Sequence, residues 1–306
     1  MSPFITTTSL SKSFGKYRII ESLSLQIEAG CTYGLVGLNG SGKTTLLRLL
    51  LGILKPDRGT IEVLGRTPWQ HEETLYRQCG IVLESDGFWG NLTAAENCSI
   101  YAAAKGVSPQ ELSAYLNTFW KESDLFTSTK KVKHFSRGQR MQCALCRAFI
   151  GKASVYFLDE PVLALDLHAY DHFKLLVKEA RERGAALIIS SHQLDTIDEL
   201  CDRVGILRDG AVIEIDRRQN RTDSSWFIDA DSIDIVRTSI EETGGANIRF
   251  DGGWRFAVED ADTKIPGLIR KLVAAGCDIR EVRREEHNFE SAIRTLYAGS
   301  SQKGVS

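Results

Sequence analysis

The sequence predicts an α/β fold around a mostly parallel sheet, interrupted by a helical insertion and followed by a smaller α+β unit. Three observations carry that expectation. Residues 32–38 form a short apolar run that stops at Gly37-x-x-Gly40-x-Gly42, after which helix formers begin, so they read as a buried strand, a tight loop and a helix. Two further apolar runs, residues 155–158 and 186–190, read as strands. Between them Phe173, Leu176, Val177 and Ala180 fall at i, i+3, i+4 and i+7, with Gly184 placed as the stop of that helix. From about residue 93 to 151 the strand signals vanish, and Ser108-Pro109-Gln110-Glu111 is a capping box with proline at the first helical position.

The remaining elements follow in order. Residues 204–208 and 211–215 flank Asp209-Gly210, a hairpin signal, and the polar stretch 216–223 reads as a linker. Beyond it, 226–230 is expected as a strand, 233–242 as a helix, and 247–250 with 255–258 as a hairpin around Asp251-Gly252-Gly253. Residues 265–275 then read as a helix, 278–282 as a strand, and a last short helix starts at Asn288. The order βαββαβ is that of a ferredoxin-like unit. A chain of 306 residues is long for one compact domain, and the division expected is 1–216 and 217–306.

Composition excludes several classes. The net charge of −2 gives no reason to expect a nucleic-acid partner, and 42% apolar with 25% charged residues is ordinary for a globular core. The N-terminus lacks the charged and apolar regions of a signal peptide, and no uncharged apolar run reaches the ~18 residues of a membrane span. The greasiest stretch, 46–54, contains Arg48 and reads as a buried helix. Seven cysteines form no secreted-type framework. Cys143 and Cys146 have CxxC spacing but no second ligand pair nearby, and read as reduced thiols on one helix face.

The segment GLNGSGKTT, Gly37 to Thr45, matches the phosphate-loop pattern GxxxxGK[ST]. Gly37, Gly40 and Gly42 let backbone N–H groups converge on phosphates without Cβ collisions, with Leu38, Asn39 and Ser41 completing the loop. The helix that follows aims its positive end at the same charge. Lys43 is expected to bridge the β- and γ-phosphates of ATP, Thr44 to hold Mg²⁺, and Thr45 to lie near the α-phosphate. A dinucleotide-binding reading fails, because no third glycine follows Gly42. The strand 155–158 runs into Asp159-Glu160, and paired acids at a buried strand end need a metal or a reacting water to use them. Asp159 fits the Mg²⁺ role and Glu160 the polarisation of the attacking water. Ser190-Ser191-His192 follows another apolar strand, and Ser136 in Phe135-Ser136-Arg137-Gly138-Gln139 is a natural helix N-cap.

Together, in this order, these segments resemble the nucleotide-binding subunits of ABC transporters over about residues 6–215. GLNGSGKTT looks like Walker A, VYFLDE like Walker B, FSRGQ like the signature motif, SSH like the switch-histidine loop, and Leu163-Ala164-Leu165-Asp166 sits where the D-loop belongs. The resemblance implies a P-loop NTPase core with an inserted helical subdomain. It also implies ATP and Mg²⁺ as cofactors, and Phe14 stacked on adenine with Tyr17 as a rival. Two subunits, alike or different, would pair head to tail, so that Ser136, Gly138 and Gln139 of one face the nucleotide of the other. Hydrolysis would proceed at Glu160 with His192 in attendance. The partner implied is a membrane-spanning permease, an exporter, which holds the subunit on the cytoplasmic face of the membrane.

Three positions depart from the family pattern. Arg137 stands where glycine is usual, Leu163 replaces the D-loop serine, and the usual glutamine of the Q-loop is Glu84. Glutamate there resembles the bacitracin-resistance and sodium-exporter branch. Glu84 is expected either to face Mg²⁺ and the γ-phosphate or to serve as a hinge in solvent. The aromatics Phe88 and Trp89 are read either as loop or core residues or as the permease-docking contact. The run Lys130-Lys131-Val132-Lys133 reads as solvated surface, with a role in nucleotide approach as the alternative. Two alternatives remain: a degenerate cassette that binds ATP as a regulator, opposed by the presence of Lys43, Asp159, Glu160 and His192, and a soluble ATPase acting on nucleic acid or ribosomes. The second is opposed by the single cassette and the lack of a long heptad insertion.

Overall fold

A computed structural model describes residues 3–83, 87–121, 123–216, 225–258 and 260–285. The chain divides into two compact units, Met1–Ile215 and Asp216–Ser306.

The first unit is built on a six-stranded sheet in the order β5-β6-β7-β3-β8-β9. Its strands are β3 (Thr32–Val36), β5 (Cys79–Val82), β6 (Val155–Asp159), β7 (Ala186–Ser191), β8 (Arg203–Arg208) and β9 (Ala211–Asp216). The first five run parallel. β3, β6 and β7 are buried along their whole length, which explains why their sequences are mostly apolar rather than alternating: helices cover both faces of such a sheet. Asp209 and Gly210, with φ of 50° and 80°, make the tight turn between β8 and β9.

A second, three-stranded antiparallel sheet comes from β1 (Ile5–Phe14), β2 (Tyr17–Ile27) and β4 (Arg58–Val63), in the order β2-β1-β4. Sequence periodicity did not announce it. β1 shifts register between Thr7 and Leu10, with Ser9 left-handed at φ 47°, so its alternation changes phase halfway along. Its inward residues Ile5, Leu10 and Ile61 join Leu46, Leu47, Leu49 and Leu50 of α1 (Lys43–Leu50) and Phe157 of β6 in one core. The apolar stretch over α1 is therefore a buried core helix.

α2 (Glu72–Gln78) leads into β5. The insertion then supplies α3 (Ala94–Ala104), α4 (Pro109–Phe119) and α5 (Arg137–Phe149). Each begins with a reciprocal capping box: Thr93 with Glu96, Ser108 with Glu111, and Ser136 with Gln139. All seven cysteines are buried, and none forms a disulfide. Cys143 and Cys146 lie on α5, and Cys146 Sγ is 3.8 Å from Cys98 Sγ of α3. α6 (Leu167–Glu182) buries the periodic residues Phe173, Leu176, Val177 and Ala180, and Gly184 beyond its end has φ 85°. α7 (Leu194–Leu200) follows β7.

The second unit has its own core and the order β10 (Ser225–Ala230), α8 (Ile233–Glu242), β11 (Ala246–Phe250), β12 (Trp254–Ala257), α9 (Ala261–Ala274), β13 (Ile279–Glu285). Its antiparallel sheet runs β11-β12-β10-β13. α9 starts four residues before the 265 expected from sequence and passes through Pro266. Five residues precede the proline in the helix, so its missing N–H costs one i→i−4 bond in the second turn. The helix expected from Asn288 lies outside the described residues, as does most of the linker.

Candidate active site

The sheet register brings the motif residues together. Val36, at the end of β3, pairs with Ser191 of β7, and Asp159, at the end of β6, pairs with Ser190. Three adjacent parallel strands thus deliver the phosphate loop, the two acids and the histidine to one sheet edge, where open α/β sheets bind ligands.

The loop from Gly37 to Gly42 has the backbone the sequence required. Gly40 and Gly42 are left-handed at φ 81° and 108°. A Cβ on Gly37 would meet Ser41 Oγ at 2.4 Å and the Leu207 carbonyl at 2.8 Å. Leu38 and Asn39 are exposed at the loop tip, and Asn39 and Thr45 line the adjoining cavity. α1 has no side-chain cap and no acid in its first turn, so its leading N–H groups and its dipole face the same cavity. Lys43 is 7% exposed. Its Nζ donates to the Gly37 carbonyl at 2.7 Å and lies 3.8 Å from Glu160 Oε1.

Asp159 is 4% exposed, and both its oxygens are engaged. Thr44 Oγ1 donates to Oδ2 at 2.7 Å, and Ser190 Oγ donates to Oδ1. A hydroxyl and a carboxylate side by side at the mouth of a phosphate loop suit a cation that takes few protein ligands and keeps water and phosphate oxygens. No group of three or more His, Cys, Asp or Glu residues able to hold a metal exists among the described residues.

Glu160 is left-handed at φ 48°, a conformation that costs a non-glycine residue about 1 kcal/mol or more. Ser190 holds it there: the Glu160 N–H is 3.0 Å from Ser190 Oγ and 3.1 Å from the Ser190 carbonyl. The bend turns the Glu160 side chain away from the strand direction, and its Oε2 lies 2.8 Å from His192 Nδ1. Ser190, quoted from the sequence only within Ser190-Ser191-His192, was given no role of its own. Its signal was one of two hydroxyls, Ser190 and Ser191, at fully buried positions that end an apolar run.

A cavity of about 460 Å³ adjoins these groups, bounded by Phe14, Lys43, Thr44, Asp159 and Glu160. Phe14 and Tyr17 face one another across the β1–β2 hairpin. Phe14 stands in the cavity wall, while Tyr17 is 78% exposed. Arg137 also lines the cavity, with Arg140, Met141 and Ala144 of α5. Ser136, Gly138 and Gln139 lie at the start of the same helix. Gln139 N–H donates to Ser136 Oγ, and the Gln139 amide oxygen accepts from Ser136 N–H. Gly138 is pressed against the Ala164 carbonyl, which a Cβ would meet at 2.5 Å. Glu84 lies outside the described residues.

Downstream of β5, Trp89 is 49% exposed, and its backbone is clamped by Asn97, which accepts from Trp89 N–H and donates to its carbonyl. The Arg147 guanidinium lies 4.7 Å from both the Phe88 and Tyr101 ring centres and donates to the Tyr101 hydroxyl. This loop is thereby tied to α5. The lysines at 130–133 sit on the surface, with Lys130 reaching the Gln139 side chain at 3.4 Å.

Residues 20–163 match the ABC transporter family. The chain is 35% identical over 216 residues to the bacitracin transport ATP-binding protein of Bacillus licheniformis, covering 70% of each chain. It is 30% identical over 300 residues to the bacitracin transport ATP-binding protein of Enterococcus faecalis, covering 96% of each. The Nod factor export ATP-binding protein I of Burkholderia lata is 31% identical over 206 residues, 67% of this chain and 68% of that one. A solved ATP-binding subunit of an ABC transporter superposes with a TM-score of 0.66 at 29% identity, covering 71% of this chain and 93% of that one. No helix among the described residues is long and apolar enough to cross a membrane. With the phosphate loop, the two acids and the histidine converging on one cavity, the chain belongs to the ABC transporter family as an ATP-binding and ATP-hydrolysing subunit.

Proposed function

We propose that this subunit hydrolyses Mg·ATP with Glu160 as the general base and powers a separate membrane-spanning permease of the exporter class. The observation that carries the reading is the convergence of Lys43, the Thr44–Asp159 pair and the Glu160–His192 pair on one cavity wall. Lys43, Gly37 to Gly42 and the start of α1 bind the phosphates, Phe14 packs on the base, and Thr44 with Asp159 holds Mg²⁺. The bound ion neutralises charge on the phosphate oxygens. Glu160 Oε2 takes the proton of the attacking water and becomes neutral, and His192 at 2.8 Å orients the carboxylate. Ser190 fixes both acids at once, so base and metal ligand keep a constant separation.

In the same reading two subunits close over ATP, each presenting the Ser136 end of α5, with Gly138 and Gln139, to the other's nucleotide. The loop of Phe88 and Trp89 meets the permease at the cytoplasmic face of the membrane. Export is supported by the names of the relatives, two of which act in bacitracin transport and one in Nod factor export. Residues 1–216 form the ATPase domain with the helical subdomain at 93–151, and 217–306 form a ferredoxin-like domain. Its βαββαβ order and the strand order second, third, first, fourth support that label.

Glu160→Gln tests the assignment. The amide keeps the shape but accepts no proton, so turnover falls by a factor on the order of 10² or more. ATP affinity survives, and ATP then holds a dimer through size-exclusion chromatography. A monomer with undiminished turnover would remove both the base assignment and the paired arrangement.

A further inference from the structure

One stripe of α5 runs from the nucleotide cavity towards the far end of the helix. Arg140, Ala144 and Arg147 fall at i, i+4 and i+7 and so share a face. Arg140 and Ala144 line the cavity with Lys43 and Glu160. Arg147 lies about 10 Å further along the axis than Arg140. It is 8% exposed. Burying a guanidinium is costly, and an apolar side chain would pack on the same rings without that cost. What the guanidinium adds is reach to three elements at once. Its Nη1 donates to the Tyr101 hydroxyl of α3 at 3.2 Å, and that hydroxyl donates onward to the Gly87 carbonyl at 2.8 Å. Its Nη2 donates to the Ile81 carbonyl of β5 at 3.4 Å, and its face meets the Phe88 ring. The segment 87–93 is also tied to the start of α5. Val132 N–H donates to the Leu92 carbonyl and Lys133 N–H to the Gly90 carbonyl, both at 2.9 Å, just ahead of the Ser136 cap.

We propose that Arg147 is the positioning residue through which nucleotide in the cavity sets the conformation of segment 87–93 and its exposed Trp89. The inference rests on the nucleotide reading of the cavity given above. A ligand filling the cavity meets the Arg140 and Ala144 part of the stripe. A helix is stiff over two turns, so a shift there carries Arg147 with it. Arg147 has one anchor on the sheet, the Ile81 carbonyl, and one on the insertion, the Tyr101 hydroxyl. When α5 moves against β5, the two anchors cannot both be kept at their present lengths. A change at Tyr101 alters the hold on Gly87, and with it the segment that carries Trp89. The coupling is reciprocal: whatever seats on Trp89 changes nucleotide affinity by the same factor that nucleotide changes its own.

The test is hydrogen–deuterium exchange of the full chain, read by mass spectrometry with and without Mg²⁺ and a non-hydrolysable ATP analogue. It is run at a concentration where size-exclusion chromatography shows a monomer in both states. In the parent, exchange over residues 37–45 and over residues 87–93 is expected to change by about fivefold or more when nucleotide binds. In Arg147→Met, which keeps the apolar packing, the response at 37–45 is expected to remain while that at 87–93 falls below about twofold. Arg147→Lys, which keeps the charge but cannot reach both anchors, is expected in between. Because Arg147 is buried, Tyr101→Phe repeats the test at a partly exposed site: it keeps the ring and deletes the hydroxyl that joins Arg147 to Gly87. It is expected to lose the response at 87–93 in the same way. Two outcomes would overturn the proposal. In one, the parent responds at 37–45 but not at 87–93. In the other, the variants exchange faster at 87–93 in both states yet keep the parent's nucleotide response, which is what a purely structural role gives. Absence of any response at 37–45 in the parent would instead remove the nucleotide reading itself, so the two failures are told apart by the phosphate-loop peptide.

Discussion

Glu160 and Ala164 are left-handed at φ 48° and 71°, only four residues apart, in the segment that leaves β6. Strain of this kind persists where surrounding contacts over-determine the backbone. Two hydrogen bonds from the Glu160 N–H to Ser190 do so at one end. At the other, the Ala164 carbonyl abuts Gly138 so closely that a Cβ would lie 2.5 Å away. Gly138 is therefore required by packing within the chain, whatever else it meets. Gly138→Ala must displace either the start of α5 or the segment at Leu163 and Ala164, and is expected to lower stability by about 1–3 kcal/mol. Turnover is expected to fall with it, because that segment follows directly from Glu160, the proposed base. Gly267→Ala, inside α9 with no atom within 4 Å of the new Cβ, is the matched control and should be neutral or slightly stabilising. Urea unfolding and ATPase assays of the two variants separate the effects. Equal behaviour would mean that the Gly138 contact is easily relaxed.

At the scale of elements, the insertion is joined to the sheet through α5, and a half-buried cation closes that junction. Lys105, the cap of α3, donates from Nζ to the Ile150 carbonyl at 3.0 Å and the Ala148 carbonyl at 3.4 Å, at the end of α5. Burial pushes its ammonium down to about 8, with the Cys79 thiol opposing the shift and Arg147 adding to it. Burial pushes the Cys79 thiol itself up to about 12, so it stays neutral through this range. In the unfolded chain a lysine titrates near about 10.4. Between about pH 8 and pH 10 the unfolded state therefore holds the extra proton, and stability contributed by this site rises with pH. Below pH 8 the charged form is buried at full cost. Lys105→Met removes the titration. The stability of the parent relative to the variant is expected to increase by on the order of 2 kcal/mol from pH 7 to pH 10. A difference that stays constant across that range would show that Lys105 remains solvated and charged.

For the whole molecule, every residue placed around the cavity belongs to the first unit, and the second unit has a separate core of Ile228, Val236, Ile240, Phe256 and Leu268. Two cores that share no member can fold independently. A chain ending at residue 216 is accordingly expected to unfold in one cooperative transition and to bind ATP within about twofold of the full chain, a difference well under 1 kcal/mol. Loss of nucleotide binding on truncation would show that the second unit supports the site.

Local chemistry alone determined the parts of this protein whose signals are short-range. The phosphate loop was legible because its glycines have no substitute at those φ values, and the buried parallel strands because both faces must be apolar. The start of α5 was legible because Ser136 caps it. Phe14 was expected at the nucleotide with Tyr17 as a rival, but the strain at Glu160 and the service of Ser190 to two acids were not legible. Each depends on which strand lies beside which, and β6, β7 and β3 are neighbours in space while their sequence order is 3, 6, 7. The antiparallel sheet was hidden for a related reason: the irregularity at Ser9 reverses the alternation of β1, and only the partner strands define which face is buried. Tertiary structure likewise brought α5 to the cavity, since Arg140, Met141 and Ala144 line it with Lys43, Thr44 and Glu160 only once the insertion is folded onto the sheet.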